Sequence, residues 1–466
     1  MFLYWGLFDR CDEGDLWITM IEQILQHVRI NAQKLGYEIL IRPFVRHVGV
    51  LTVANGVGAV LSLVQGVFVA RWLGPELYGV ATLVMSIPSL VYTFFDARSA
   101  EVSVKFLSEF DARGERERAL AMCKLGYAVD LAIALLTFFS VLVTARWVAS
   151  RIVQRSEMEM LILVYAAAFL LRAFVGTSYA IMASLGRFLL IATIEILTTI
   201  LRVGIVLGLI LAGWQVAGFV WGNVVSIAVT GLLYSVYAYS LAKRQWGGSW
   251  LRGNWQWLKE HGREIFGFLA YNDLGALWGM IPKQLDIIIL GYFRGPTEVG
   301  YYKLAKTISS RVGYLVGPLQ SVVYPDLARL WGIGDRLRFW RKVKHLAWKV
   351  GAPLGLLILA AIACVPLILP VIFGLSFNSA VPATQILFIG YGLWLVFFWL
   401  RPLFMAHGWM REWAIFIGLY AFISFVGWLI FVPYYGYIAL CLWWLLALII
   451  GYIGLPLLWL YLKGNK

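Results

Sequence analysis

The stretch WAIFIGLYAFISFVGWLIFVPYYGYIALCLWWLLALIIGYIGLPLLWLYL, from Trp413 to Leu462, runs for 50 residues without one Asp, Glu, Lys or Arg. A helix that crosses a bilayer needs about 20 apolar residues, so this run is two crossings joined by a short turn. Two more runs read the same way: 40 uncharged residues between Arg202 and Lys243, and 51 between Lys349 and Arg401. None of them alternates polar with apolar residues, which excludes the strands of a membrane barrel. In lipid, only a helix satisfies its own backbone over such lengths. The chain of 466 residues is 61% hydrophobic and 14% charged, where a soluble domain carries roughly 25% charged residues. The expected fold class is all-α integral membrane protein.

Working outward, the pattern predicts about twelve transmembrane helices: 48–70, 78–97, 120–144, 159–182, 188–212, 216–240, 264–291, 299–323, 348–373, 382–404, 412–433 and 437–462. Basic residues gather on every second connection, for example Arg113, Arg116 and Arg118, then Lys243, Arg244 and Arg252, then Arg336, Arg338 and Arg341. The positive-inside rule puts those connections, and with an even number of spans both termini, in the cytoplasm. It also accounts for the net charge of +14 without nucleic acid as a partner. Residues 1–47 carry Asp9, Asp12, Glu13 and Asp15 where a signal peptide would be apolar. Within them, residues 17–40 have the spacing of an amphipathic helix lying on the cytoplasmic face. Cys11, Cys123, Cys364 and Cys441 are too scattered for a disulfide framework or a metal site.

The chain also repeats itself. RWLGPELYG (71–79) is echoed by RGPTEVGY (294–301), and IMASLGRF (181–188) by FMAHGWMREW (404–413), at offsets of 221 and 223 residues. Each offset spans six helices, an even number, so the copies share one orientation: a parallel repeat about an axis along the membrane normal. The expected domains are a cytoplasmic extension (1–47), a six-helix lobe (48–240), a cytoplasmic linker (241–263) and a second six-helix lobe (264–466).

FVARWLGPELYGVATLVMSI (Phe68 to Ile87) and KQLDIIILGYFRGPTEVGYYKLAKTISS (Lys283 to Ser310) resemble the openings of the two halves of Wzx-type polysaccharide flippases. These belong to the multidrug/oligosaccharidyl-lipid/polysaccharide superfamily. The resemblance covers the chain from about residue 44; the extension before it departs from the family's pattern. It implies alternating access by two lobes around a central cavity, carrying a polyprenyl-(pyro)phosphate-linked oligosaccharide across the cytoplasmic membrane for cell-surface polysaccharide export. It further implies glycosyltransferases and a polysaccharide polymerase as functional partners.

Charges inside the spans mark the expected cavity, since an ionised side chain at a helix centre costs about 2.5–3.5 kcal/mol on insertion scales. Arg172, Arg202 and Arg311 lie roughly 18–21 Å into their spans at about 1.5 Å per residue. Their fork geometry suits a pyrophosphate, and Lys303 and Lys306 would extend a basic path outward. Glu195, Asp273 and Asp286 are candidates either for coupling to H+ or Na+ or for structural pairing, Asp286 with Lys283 at i,i+3. Asp130 reads as structural. The plainer alternative for every one of these charges is that they pair and close the bundle. No histidine pair has metal-ligand spacing, no nucleophile has an evident base, and no nucleotide motif occurs, so neither an enzyme nor a cofactor is expected. The competing functions are a multidrug or small-molecule antiporter of the same superfamily, with a more acidic cavity, and a membrane-embedded glycan polymerase, which would need a large outer loop.

Overall fold

The computed structural model describes residues 38–96, 99–247 and 284–464. The extension's amphipathic helix lies almost wholly outside these residues, as do most of the seventh span, Asp273 and Lys283. Every described element is helical. The first half of the chain comprises α1 (Glu38–Phe95), α2 (Ser99–Ala112), α3 (Arg116–Arg151), α4 (Glu159–Arg172), α5 (Val175–Ser184), α6 (Phe188–Leu211) and α7 (Gln215–Trp246). The second half comprises α8 (Asp286–Arg294), α9 (Pro296–Ser309), α10 (Val316–Gly332), α11 (Arg336–His345), α12 (Ala352–Phe373), α13 (Ala380–Val396), α14 (Leu400–Ala406), α15 (Met410–Ala447) and α16 (Leu455–Gly464).

Among the described residues, eight helical stretches are long and apolar enough to cross a membrane. Two of them, Ala54–Phe95 and Met410–Lys463, hold 42 and 54 residues, twice what one crossing needs. Each is broken by a glycine outside helical geometry, Gly74 (φ 70°) and Gly436 (φ 66°). Around Gly436 the two arms lie antiparallel: Trp428 Nε1 donates to Leu440 O, and Trp443 Nε1 donates to Ile423 O at 2.7 Å. The uncharged run 413–462 is therefore a hairpin. Leu356, Leu357, Leu367 and Val371 of α12 point outward and exposed, a surface that only lipid covers at low cost.

The helices are longer than their apolar stretches. α3 runs from Arg116 to Arg151 where 120–144 is expected, and the connection after it shrinks accordingly. The added turns carry Arg116, Arg118, Arg146 and Arg151. A helix satisfies its own backbone into the headgroup zone, where long basic side chains reach water, so hydropathy marks only the hydrocarbon part.

The turns of the two halves correspond. Left-handed φ values occur at Gly74 and Gly295, Gly114 and Gly334, Gln154 and Gly374, Gly186 and Gly408, and Gly213 and Gly436. The five pairs keep one order, and their separations stay between 220 and 223 residues. Both echoes read in the sequence fall within this series. At the Gly-Pro motifs the halves meet directly. A Cβ on Gly79 would lie 1.8 Å from Pro296 O, and one on Gly300 would lie 1.9 Å from Pro75 O. Each half seats its glycine on the other's proline carbonyl, the reciprocal pattern of a two-fold contact.

Candidate functional site

From that crossing, the second arm of α1 turns one face toward the second half. Thr82, Ser86 and Ser89, at i, i+4 and i+7, project from this face and line a cavity of about 320 Å3. Tyr165 of α4, Asn223 of α7, and Gln284 and Lys303 of the second half complete its polar lining. No carboxylate lines it among the described residues. Lys303 has no hydrogen-bond or ion-pair partner among the described residues. This hydroxyl wall is the part sequence reading misses: Ser and Thr at helical spacing inside an apolar span are its only signal.

Of the expected basic residues Lys303 lines this cavity, and none of the three arginines does. Arg172 ends α4, where the chain breaks before α5, and its guanidinium lies 5.6 Å from the Tyr92 ring. Arg202 donates to Ser62 Oγ of α1 at 2.7 Å. Tyr165, in the cavity wall, is within electrostatic reach of both. Arg311 sits in the 3-10 turn Ser310–Leu315 that separates α9 from α10, 5.3 Å from the Tyr314 ring, and within electrostatic reach of Lys303. The Nε atoms of Arg202 and Arg311 are both buried with no partner among the described residues, and such an orphaned charged donor is costly unless an anion meets it. Two of the three arginines thus stand at helix breaks. Irregular backbone at membrane depth persists only in protein or beside a cavity.

The remaining charges do other work. Asp286 is fully buried and holds Lys306 in an ion pair; it also accepts from Tyr302 Oη and, at 2.8 Å, from the Ile287 N–H. The Lys306 ammonium therefore turns to Asp286. Glu195 is exposed on α6 and accepts from Tyr234 Oη at 2.8 Å. Asp130 is buried on α3 and accepts from the Thr177 N–H at 2.9 Å and Thr177 Oγ1 at 2.7 Å, so it caps the start of α5 from another helix. Asp130→Ala should lower stability by about 1–3 kcal/mol, the cost of stranding a buried donor. Thermal unfolding of the purified variant checks this, and an unchanged transition would remove Asp130 from the structural role. His407 packs its ring on Trp331 and Trp409, and burial pushes it below the usual histidine range.

The sequence model of the family described as "Polysaccharide biosynthesis protein" matches residues 44–331. The chain belongs to that family. No curated protein matches it. Solved structures share its fold. An inward-facing multidrug resistance MATE family transporter of the MOP superfamily matches with a TM-score of 0.65 at 14% identity, over 88% of this chain and 96% of that one. The lipid II flippase MurJ, in an inward closed conformation, matches with a TM-score of 0.62 at 15% identity, over 89% and 87%. A point mutant of the Vibrio cholerae MATE transporter VcmN matches with a TM-score of 0.53 at 15% identity, over 92% and 98%. This polysaccharide biosynthesis family member is thus a multi-pass membrane protein with the fold of the MATE and MurJ transporters.

Proposed function

We propose that the protein flips a polyprenyl-(pyro)phosphate-linked oligosaccharide across the cytoplasmic membrane by alternating access, for export of a cell-surface polysaccharide. One observation carries this reading. The polar cavity, lined by no carboxylate among the described residues, shares its wall residue Tyr78 with an apolar groove of about 320 Å3 between α1, α9, α12 and α13, lined by Leu63, Leu304, Val365 and Phe388 among others. A glycan diphosphate and a polyprenyl chain need that juxtaposition: hydroxyls, amides and cations for one end, hydrocarbon for the other. A multidrug antiporter of organic cations would need a carboxylate in the cavity; none lines it among the described residues, and Asp273 lies outside them.

In this reading the chain makes twelve crossings in two six-helix lobes, 48–240 and 264–466, joined by a cytoplasmic linker, with both termini cytoplasmic. The five recurring turns and the reciprocal Gly-Pro contact support the parallel repeat. The lobes meet at Gly79 and Gly300 on the outer side, and the cavity lies below that contact toward the basic connections, an inward-facing arrangement. Arg202 and Arg311, with Lys303 between the lobes, receive the diphosphate; Arg172 stands toward the mouth. Lys306 is held back by Asp286 and serves to position α9. Coupling to H+ or Na+ would run through Glu195 or Asp273.

Replacing Lys303 or Arg202 with Gln should weaken binding of a polyprenyl pyrophosphate by roughly ten- to a hundredfold, since a hydrogen bond to a charged group contributes about 1.5–3 kcal/mol. Protein level should hold or rise, because an unpaired charge no longer has to be buried. Normal affinity with reduced protein level would make these residues structural and leave the flippase reading without its site. Orientation has its own test: in intact cells a cysteine at Asp335 should stay protected from an impermeant reagent, and one at Ser379 should react. Labelling at Asp335 would invert the topology.

A further inference from the structure

Away from the central cavity, a second hollow of about 310 Å3 opens where α2, the α5–α6 turn and the end of α7 meet. Asp111, Ser184, Arg187, Arg244 and Gln245 line it. Asp111 is its one carboxylate among the described residues and is already engaged, accepting from Trp246 Nε1 at 2.8 Å and Gln245 Nε2 at 3.2 Å. Neither Arg187 nor Arg244 has a hydrogen-bond or ion-pair partner for its side chain among the described residues. Arg244 lies in the last turn of α7, where the helix dipole favours a cation. Arg187 has no such reason. It is the N-cap residue of α6 and makes no side-chain cap bond, so its charge opposes the positive end of that helix.

The second half of the molecule provides a comparison. The turn at Gly186 recurs at Gly408, and there the space is filled with rings. His407 lies 3.6 Å from Trp331, 4.2 Å from Trp409 and 5.1 Å from Phe339 between centroids. Trp409 follows Gly408 where Arg187 follows Gly186. In the second half the cations at this place, Arg336 over Trp331 and Lys463 over Trp409, are covered by rings, whereas Arg187 and Arg244 of the first half line a hollow.

We propose that this hollow is a binding site for a phosphate-bearing anion, separate from the transported substrate. Arg187 and Arg244 are exposed and line one space; guanidinium forks suit phosphate oxygens, and the site lies at helix ends on the basic side, where anionic headgroups meet membrane proteins. A lipid headgroup and a free phosphate share this chemistry, and the experiment separates them.

Thermal unfolding of the full-length protein is followed in nanodiscs of phosphatidylcholine, of phosphatidylcholine with phosphatidylglycerol, and of phosphatidylcholine with millimolar inorganic phosphate. The melting temperature should rise saturably with the anion. R187Q/R244Q should need roughly a hundredfold more of it, about tenfold for each guanidinium lost. S184W keeps both charges but fills the hollow, and should lose the response as well; K344Q, which removes an exposed cation elsewhere on the basic side, should keep it. Melting in pure phosphatidylcholine reports folding for each variant, and if R187Q/R244Q does not accumulate, S184W decides. A rise with phosphatidylglycerol alone assigns the site to a headgroup, and a rise with inorganic phosphate alone assigns it to a soluble ion. A wild-type response in S184W, or an equal loss in K344Q, would reduce the effect to general surface charge and overturn the proposal.

Discussion

Replacing Asp286 alone with Ala should cost about 3–5 kcal/mol of stability, because it breaks a buried ion pair from one side only. The carboxylate is fully buried and serves three donors from two helices: the Ile287 N–H, Tyr302 Oη and Lys306 Nζ. It is therefore the point where α8 and α9 are tied beside the cavity. Removing both charges, as in D286L/K306M, should recover most of the loss, since a buried ion pair gains little over apolar groups of similar volume. Chemical or thermal unfolding of the single and double variants measures this directly. A single variant as stable as the parent, but dead in transport, would move Asp286 from holding the helices to coupling an ion.

The second large effect belongs to the crossing of the Gly-Pro motifs. Gly79→Ala or Gly300→Ala places a methyl group 1.8 or 1.9 Å from a backbone carbonyl oxygen of the other half, and neither partner is a side chain that can swing away. The helices must part, and overpacking of this kind costs about 1–3 kcal/mol or more. The two glycines share one contact, so the costs should not add: once the first methyl has separated the helices, the second meets less resistance. In an alternating-access cycle the same separation disfavours the state closed at this face. Both variants should therefore show increased reactivity of a cysteine at Ser86 toward an impermeant outer-face reagent. Additive destabilisation with unchanged reactivity would mean that the crossing is not a gate.

How much of the molecule is legible in its residues depends on which signal each feature leaves. Uncharged runs longer than one crossing declare helices in lipid directly, and the run from Trp413 to Leu462 is a hairpin as its length demands. Basic residues at helix ends hide from hydropathy, so α3 extends beyond its apolar stretch at both ends. The Gly-Pro echo is visible because its left-handed glycine tolerates almost no substitute. The turns at Gln154 and Gly374 lie in dissimilar sequence and emerge only as backbone angles, whereas those at Gly114 and Gly334 leave an echo of their own, GERER (114–118) against GDRLR (334–338). Arg172, Arg202 and Arg311 stand out because charge at membrane depth is expensive. Whether a lysine in the same helix faces the cavity or an acid does not follow from spacing: Lys303 and Lys306 are three residues apart, and only the second meets Asp286. The hydroxyl wall of Thr82, Ser86 and Ser89 is silent because such residues also bond their own helix backbone, as Ser89 Oγ does to Met85 O at 2.7 Å.

Flipping itself can be measured as leaflet exchange by the purified protein, reconstituted in liposomes containing a fluorescent polyprenyl-pyrophosphate oligosaccharide. A membrane-impermeant glycosidase or quencher added outside reads only the outer leaflet. In vesicles holding the protein, the accessible fraction should rise from about one half toward completion, and K303Q and R202Q should slow this rise at least about tenfold. Accessibility that stays at the level of protein-free vesicles, under imposed ion gradients of either direction, would contradict a flippase.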